Sequence, residues 1–209
     1  MTAVAAARPP RKRNAAPPRE TVLAAAMDAI AAHGLAGLTM AGLGREVGMS
    51  SGHLVYYFRS KDELLLQTLE WSEGRIGAER RAALARPLPV RTRLDAYVEL
   101  YLPAGPRDPH WSLWLELWNR VHTADDDTRA RLLDIELAWH RDLVALLVEG
   151  ASRAELRPLP DPDRLATRLR ALLDGFSTHL TMSLPGSTRA EVLAHIADHL
   201  DDTLDPTGS

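Results

Sequence analysis

Apolar residues recur along this chain at intervals of three and four, and no segment alternates as a strand would. Leu23, Met27 and Ile30 open the series, and Gly34 stands where a helix C-cap is expected. Thr39 reads as the N-cap of a short helix to about Val47. Gly48-Met49-Ser50 makes a tight turn, and Ser50 is free to cap a second short helix from Ser51 to about Tyr57. Ser60 to Glu63 spells Ser-x-x-Glu, a capping box, and predicts a helix running to about Leu84, before Pro87 and Pro89. Leu94, Tyr97 and Tyr101 mark the fifth helix, and a Trp-rich sixth ends near His122. A long seventh carries Leu132, Ile135, Trp139, Leu143 and Leu146. Leu165, Leu169, Leu172, Phe176 and Leu180 define the eighth, over about 162–183, and Val192, Ile196, Leu200 and Leu204 the ninth, over about 188–204. The pattern predicts an all-α protein without internal repeats.

Two short helices joined by a glycine-containing turn form the helix-turn-helix signature, in which the second helix enters the DNA major groove. Ser51 and Gly52 are small enough for the backbone to approach phosphates. His53, Tyr56 and Tyr57 are expected to face outward, with Leu54 and Phe58 inward. Short helices bearing Tyr and His also occur in plain helical domains, so polarity alone leaves both readings open.

Composition narrows the classes. The chain's 209 residues suit one domain, or a small one docked on a larger, with ordinary hydrophobic (45%) and charged (25%) fractions. It lacks an apolar run of membrane-spanning length and a signal-peptide pattern, which fits a cytoplasmic protein with no membrane partner. The absence of cysteine removes disulfides, thiolate metal sites and cysteine nucleophiles together. Net charge is −3, but residues 1–63 hold eight Lys/Arg against five Asp/Glu, while the rest hold 17 against 23. A basic front end on an acidic body implies division of labour. Residues 1–19 are expected to form a flexible basic arm. It is either a plain unstructured start or a phosphate-tracking segment, through Arg8, Arg11, Lys12, Arg13 and Arg19.

The stretch LTMAGLGREVGMSSGHLVYYFRSKDELLLQTL, residues 38–69, resembles the DNA-binding domain of the TetR (TetR/AcrR) family of bacterial transcription regulators. The shared features are Thr39, Leu43, Val47, Gly48, Ser50, Gly52, Leu54, Tyr57-Phe58, Ser60-Lys61 and Glu63-Leu64. The resemblance implies that Thr39, Ser51, His53, Tyr56, Tyr57 and Lys61 face DNA; Arg45 and Gly52 complete the expected surface. Val55 stands where the family often has a phosphate-touching tyrosine, which passes that role to Tyr56. Gly44 replaces a usual alanine, at an expected cost of ~1 kcal/mol in helix propensity. The implied organisation is a basic arm (1–19), a helix-turn-helix domain (20–66), a ligand-binding and dimerisation domain (67–204) and a tail (205–209). The resemblance also implies a homodimer on a palindromic operator of double-stranded DNA. Its last two helices would pair through Leu165, Leu169, Leu172, Leu173, Phe176, Val192, Ile196 and Leu200.

The body offers one aromatic stripe. Trp111, Trp114, Trp118 and His122 share a helix face, and they read either as core filler or as cavity lining. The resemblance implies an effector pocket between helices five and eight, with Tyr97, Tyr101, Trp139, Phe176 and His179 as further candidates. Such a site with Glu116 or Asp174 beside it suits a cation. His195 and His199 have the spacing of a zinc pair but lie beside interface positions, and Asp125-Asp126-Asp127 opens a helix, where negative charge is favourable. No cofactor or metal is expected, and the enzyme class lacks a motif. The resulting expectation is a homodimeric repressor that a small molecule releases from its operator. The alternatives are an activator, a partner-controlled DNA-binding protein and, from another class, a helical metal-binding enzyme.

Overall fold

Helices begin in this protein where a side-chain oxygen can take a free amide. In the computed structural model, which describes residues 17–205, the described residues form α1 (Arg19–Gly37), α2 (Met40–Glu46), α3 (Ser51–Phe58), α4 (Lys61–Leu84), α5 (Val90–Tyr101), α6 (Pro109–Arg120), α7 (Asp126–Ser152), α8 (Pro162–Thr181) and α9 (Arg189–Leu204), with no strand. Thr39, Ser50, Ser60, Asp108, Asp125, Asp161 and Thr188 each accept an amide of the first helical turn, whereas α1 and α5 follow Pro18 and Pro89. Gly34, at φ 69°, breaks the regular part of α1 where the sequence expected its end. Most of the expected basic arm, residues 1–16, lies outside the described residues, as does most of the tail.

Two local expectations change. Ser60 accepts from the Glu63 amide, but the Glu63 carboxylate takes Gln67 and Arg131 instead of closing a capping box; the reciprocal box is Thr188–Glu191. Gly44 is no simple concession of helix propensity. The Met49 amide bonds to the Gly44 carbonyl at 2.7 Å, and a Cβ on Gly44 would sit 2.6 Å from the Met49 carbonyl oxygen. The turn is folded so closely onto α2 that only glycine fits there without displacement.

Two apolar cores divide the molecule. The first gathers α1 to the N-terminal half of α4 with Trp111, Leu113, Trp114 and Leu117 of α6. The second gathers α5, α8, α9 and most of α7. Helix α4 is continuous between them and packs on α1, α3, α5, α6 and α7. The second core corrects the expected dimer surface. Leu169, Leu173, Val192, Ile196 and Leu200 are buried within the protomer, because the inward stripes of α8 and α9 close over α5 and α7. Of the expected set, Leu165, Leu172 and Phe176 keep partial exposure.

Candidate functional site

The first site is a surface. Leu54 and Phe58 anchor α3 at 0% exposure, which turns the opposite face outward. There Tyr56 is 83% and Tyr57 37% exposed, beside exposed Ser51, Gly52 and His53. His53 and Tyr57 rings stand 5.3 Å apart, and Tyr56 meets Tyr57 edge-on at 6.2 Å, so three rings form one ridge. A Cβ on Gly52 would meet nothing within 4 Å, leaving its backbone open to approach. Thr39 and Arg45 are exposed on α2's end of the motif, whereas Lys61 is half-buried and donates to the Leu35 carbonyl at 3.4 Å. Phenolic hydroxyls, an imidazole and an exposed helix N-terminus are groups that hydrogen-bond base edges and phosphates.

The second site is buried. The Glu73 carboxylate of α4 is 7% exposed and lies between aromatic rings. Trp114 Nε1 donates to its Oε1 and Trp139 Nε1 to its Oε2, each at 2.9 Å, and His110 Nε2 lies 3.0 Å from Oε1. Trp111 and Trp114 each meet Trp118 at about 5.5 Å, and Tyr101 meets Trp139 edge-on at 5.0 Å. These rings, with Glu73, His110, Glu136 and Arg170, line one cavity. Trp118 Nε1 donates to Glu136, which is also paired with Arg170.

Burial alone would raise Glu73, but hydrogen bonding and charge from His110, then the two indole N–H groups, outweigh it and hold the carboxylate below its ordinary range. The site thus keeps a buried anion among ring faces. Burial pushes Asp174 up, against the lowering effect of the 2.5 Å Tyr101 hydroxyl bond and Arg170. The Arg80 guanidinium covers the Trp139 ring at 3.8 Å and pairs with Asp142, fixing that indole in place.

Of the residues expected to line a pocket, Tyr101, Trp111, Trp114, Trp118 and Trp139 come together. Tyr97 is fully buried against Tyr101 and Trp139, donates to the Trp139 carbonyl, and does not reach the cavity. His122 lies past the end of α6, exposed. Phe176 and His179 lie elsewhere: Phe176 stacks on His195, its ring plane within 4° of the imidazole. Glu116 pairs with Arg120, off the tryptophan stripe. The carboxylate at the rings is Glu73, which the sequence reading missed, along with His110, Glu136 and Arg170. A signal existed. Leu66, Leu69, Glu73, Gly77 and Arg80 share one buried face of α4, so two charges fall on an apolar stripe. His195 and His199 are both exposed on α9.

The cavity lies at the seam of the two cores, with α6 belonging to the first and Trp139 to the second. Arg120, at the end of α6, pairs with Asp62 in the first turn of α4, next to α3. Arg131 of α7 pairs with both Glu63 and Glu70 of α4. The tryptophan helix is therefore tied to the first turn of α4, the helix that follows the exposed ridge.

Comparison with known proteins places both halves. Residues 22–68 match the family of bacterial regulatory proteins of the tetR type, and residues 89–205 match the BetI-type transcriptional repressor C-terminal domain. The HTH-type transcriptional regulator BetI of Agrobacterium fabrum is 28% identical over 186 residues, covering 88% of this chain and 86% of its own. BetI of Rhizobium meliloti is 27% identical, covering 83% of each chain. A transcriptional regulator from Saccharomonospora viridis, solved in complex with choline, superposes with a TM-score of 0.80 at 28% identity, covering 89% of this chain and 96% of that one. The chain belongs to the TetR family of bacterial transcriptional regulators, with a C-terminal half of the BetI repressor type.

Proposed function

We propose that this protein is a homodimeric repressor released from a palindromic operator by a methylated ammonium compound of the choline type. The observation that carries the reading is Glu73, a carboxylate kept charged inside a box of four tryptophans and a tyrosine. Ring faces attract a cation without stripping it of hydrogen bonds it cannot make, and a buried carboxylate supplies the opposite charge. The choline complex of the Saccharomonospora viridis relative supports the same ligand class.

As it stands the cavity has room for about one water molecule, ≈ 20 Å³. A trimethylammonium group needs several times that, so its entry parts the rings and shifts α6 against α5 and α7. Through Arg120 and Asp62 the shift reaches the first turn of α4 and the recognition helix. In a dimer the two α3 helices must fit half-sites roughly 34 Å apart, so a small change of angle removes the match. The outward faces of α8 and α9, with Leu172 and Phe176, are the proposed dimer surface.

Titration calorimetry tests the ligand class. Choline is expected to bind and simple carboxylic acids are not, and Glu73→Gln should weaken choline by about 2 kcal/mol or more. A preference for acids, or choline binding indifferent to Glu73→Gln, would overturn the reading.

A further inference from the structure

A separate cleft lies away from both sites. It is bounded by the loop after α7, the first turns of α8 and Thr203 near the end of α9, and α7 ends about 20 Å along its axis from Trp139. Its volume is ≈ 500 Å³, that of a small-molecule site. Arg157, Arg164 and Arg168 line it, all exposed, beside Leu159 and Leu165. The two leucines are half-buried and pack on the second core, so one wall is apolar and fixed. The Arg157 amide donates to the Leu204 carbonyl at 3.1 Å, which holds the loop against α9.

The arginines stand where local electrostatics disfavours them. Arg164 lies in the first turn of α8, at the positive end of the helix dipole, and Arg168 follows as a like charge at i, i+4. Elsewhere in the acidic body arginines are offset: Arg93 pairs with Glu149, Arg131 with Glu63 and Glu70, and Arg170 with Glu136. Among the described residues, none of the three cleft guanidiniums meets a carboxylate. Asp161, the acidic residue of the lining, caps α8 by accepting from the Arg164 amide, and Asp163 faces His140 at 2.9 Å. Three cations therefore converge on one cleft without a matching set of anions.

We propose that this cleft is a second ligand site, which takes a phosphate monoester bearing an apolar substituent. Guanidinium forks pair with phosphate oxygens through two parallel hydrogen bonds, and three of them match a dianion. The bound dianion offsets the repulsion between Arg164, Arg168 and the end of α8. The leucine wall takes the substituent, which inorganic phosphate lacks. A carboxylate brings a single charge and leaves guanidiniums unmatched. The site is independent of the ring cavity and of the ammonium reading.

Calorimetry on the full-length protein tests the site with phenyl phosphate, inorganic phosphate and benzoate. Phenyl phosphate should bind about tenfold or more tightly than inorganic phosphate, through the apolar wall, and than benzoate, through the second charge. Arg164→Gln and Arg168→Gln should each weaken phenyl phosphate about tenfold. Without ligand, their melting temperatures should equal or exceed that of wild type, since each removes an uncompensated charge. Arg141→Gln is the control: Arg141 is exposed on α7 outside the cleft, and its loss should leave phenyl phosphate binding unchanged. Absence of phenyl phosphate binding by wild type would overturn the proposal, as would equal affinity for benzoate or an equal loss in Arg141→Gln. A double variant, Arg164→Gln with Arg168→Gln, that loses its dimer in sedimentation while wild type ignores phenyl phosphate would assign the cleft to a second copy of the chain instead.

Discussion

The ridge of α3 and the box beneath α6 use the same kinds of side chain for opposite ends. On α3, His53, Tyr56 and Tyr57 are exposed, and the rings touch one another but no carboxylate. Around Glu73, four indoles and Tyr101 are buried or half-buried, and three of the indole N–H groups are spent on carboxylates. The lesson is that aromatic clustering alone does not name a site. What distinguishes a surface suited to DNA from the cavity proposed to take a cation is where the rings' polar atoms point and which charge lies among them.

The comparison can be broken at several points, the box first. Glu73→Ala leaves the Trp114 and Trp139 N–H groups and His110 unpaired in the interior, and should destabilise the fold by about 3–5 kcal/mol in denaturant titration. The ridge should respond the other way. His53→Ala and Tyr56→Ala should each weaken specific DNA binding by about 1–3 kcal/mol while the melting temperature stays unchanged. Loss of helicity in either variant would mean that these rings hold the fold.

The two glycines of the motif sharpen the same contrast. Gly44→Ala drives a Cβ into the Met49 carbonyl and should destabilise by about 1–3 kcal/mol. Gly52→Ala enters open space, so thermal stability should hold or rise by up to about 1 kcal/mol while DNA affinity falls. Acid tests the box once more. Because the Glu73 pKa is lowered in the fold from 4.5, its contribution is present above that pH and is lost as pH falls through the lower folded value. Thermal melts from pH 7 to pH 3.5 should show a smaller acid loss for Glu73→Gln than for wild type. The smallest expected effect is at Arg120→Gln. Its exposed pair with Asp62 should add at most about 1 kcal/mol to stability, yet its loss should reduce how far choline shifts operator affinity.

Much of this was legible in the chain because caps and stripes are local. Thr39, Ser50 and Ser60 set three helix starts to the residue, and the inward Leu54 and Phe58 set the face of α3. What local pattern does not contain is which stripes meet. The apolar stripes of α8 and α9 were expected at a dimer surface, but α5 and α7 take most of them into the protomer core. Phe176 and Trp114 look equally fit for a pocket in sequence; the packing of α8 sends one against His195 and that of α6 sends the other to Glu73. Glu73 itself was visible only as a charge on the wrong face of α4, and Glu136 and Arg170 likewise fall between buried positions of α7 and α8. Charges on inward stripes were the readable trace of the cavity.

Release from the operator requires coupling between the box and the ridge. The measurement is fluorescence anisotropy of a labelled operator duplex, obtained by selection from a random pool, titrated with protein with and without saturating choline. A coupling of about 1–3 kcal/mol predicts operator affinity lower by several-fold to over a hundredfold when choline is bound, and little change for Glu73→Gln. Choline that binds the protein yet leaves operator affinity unchanged would contradict it.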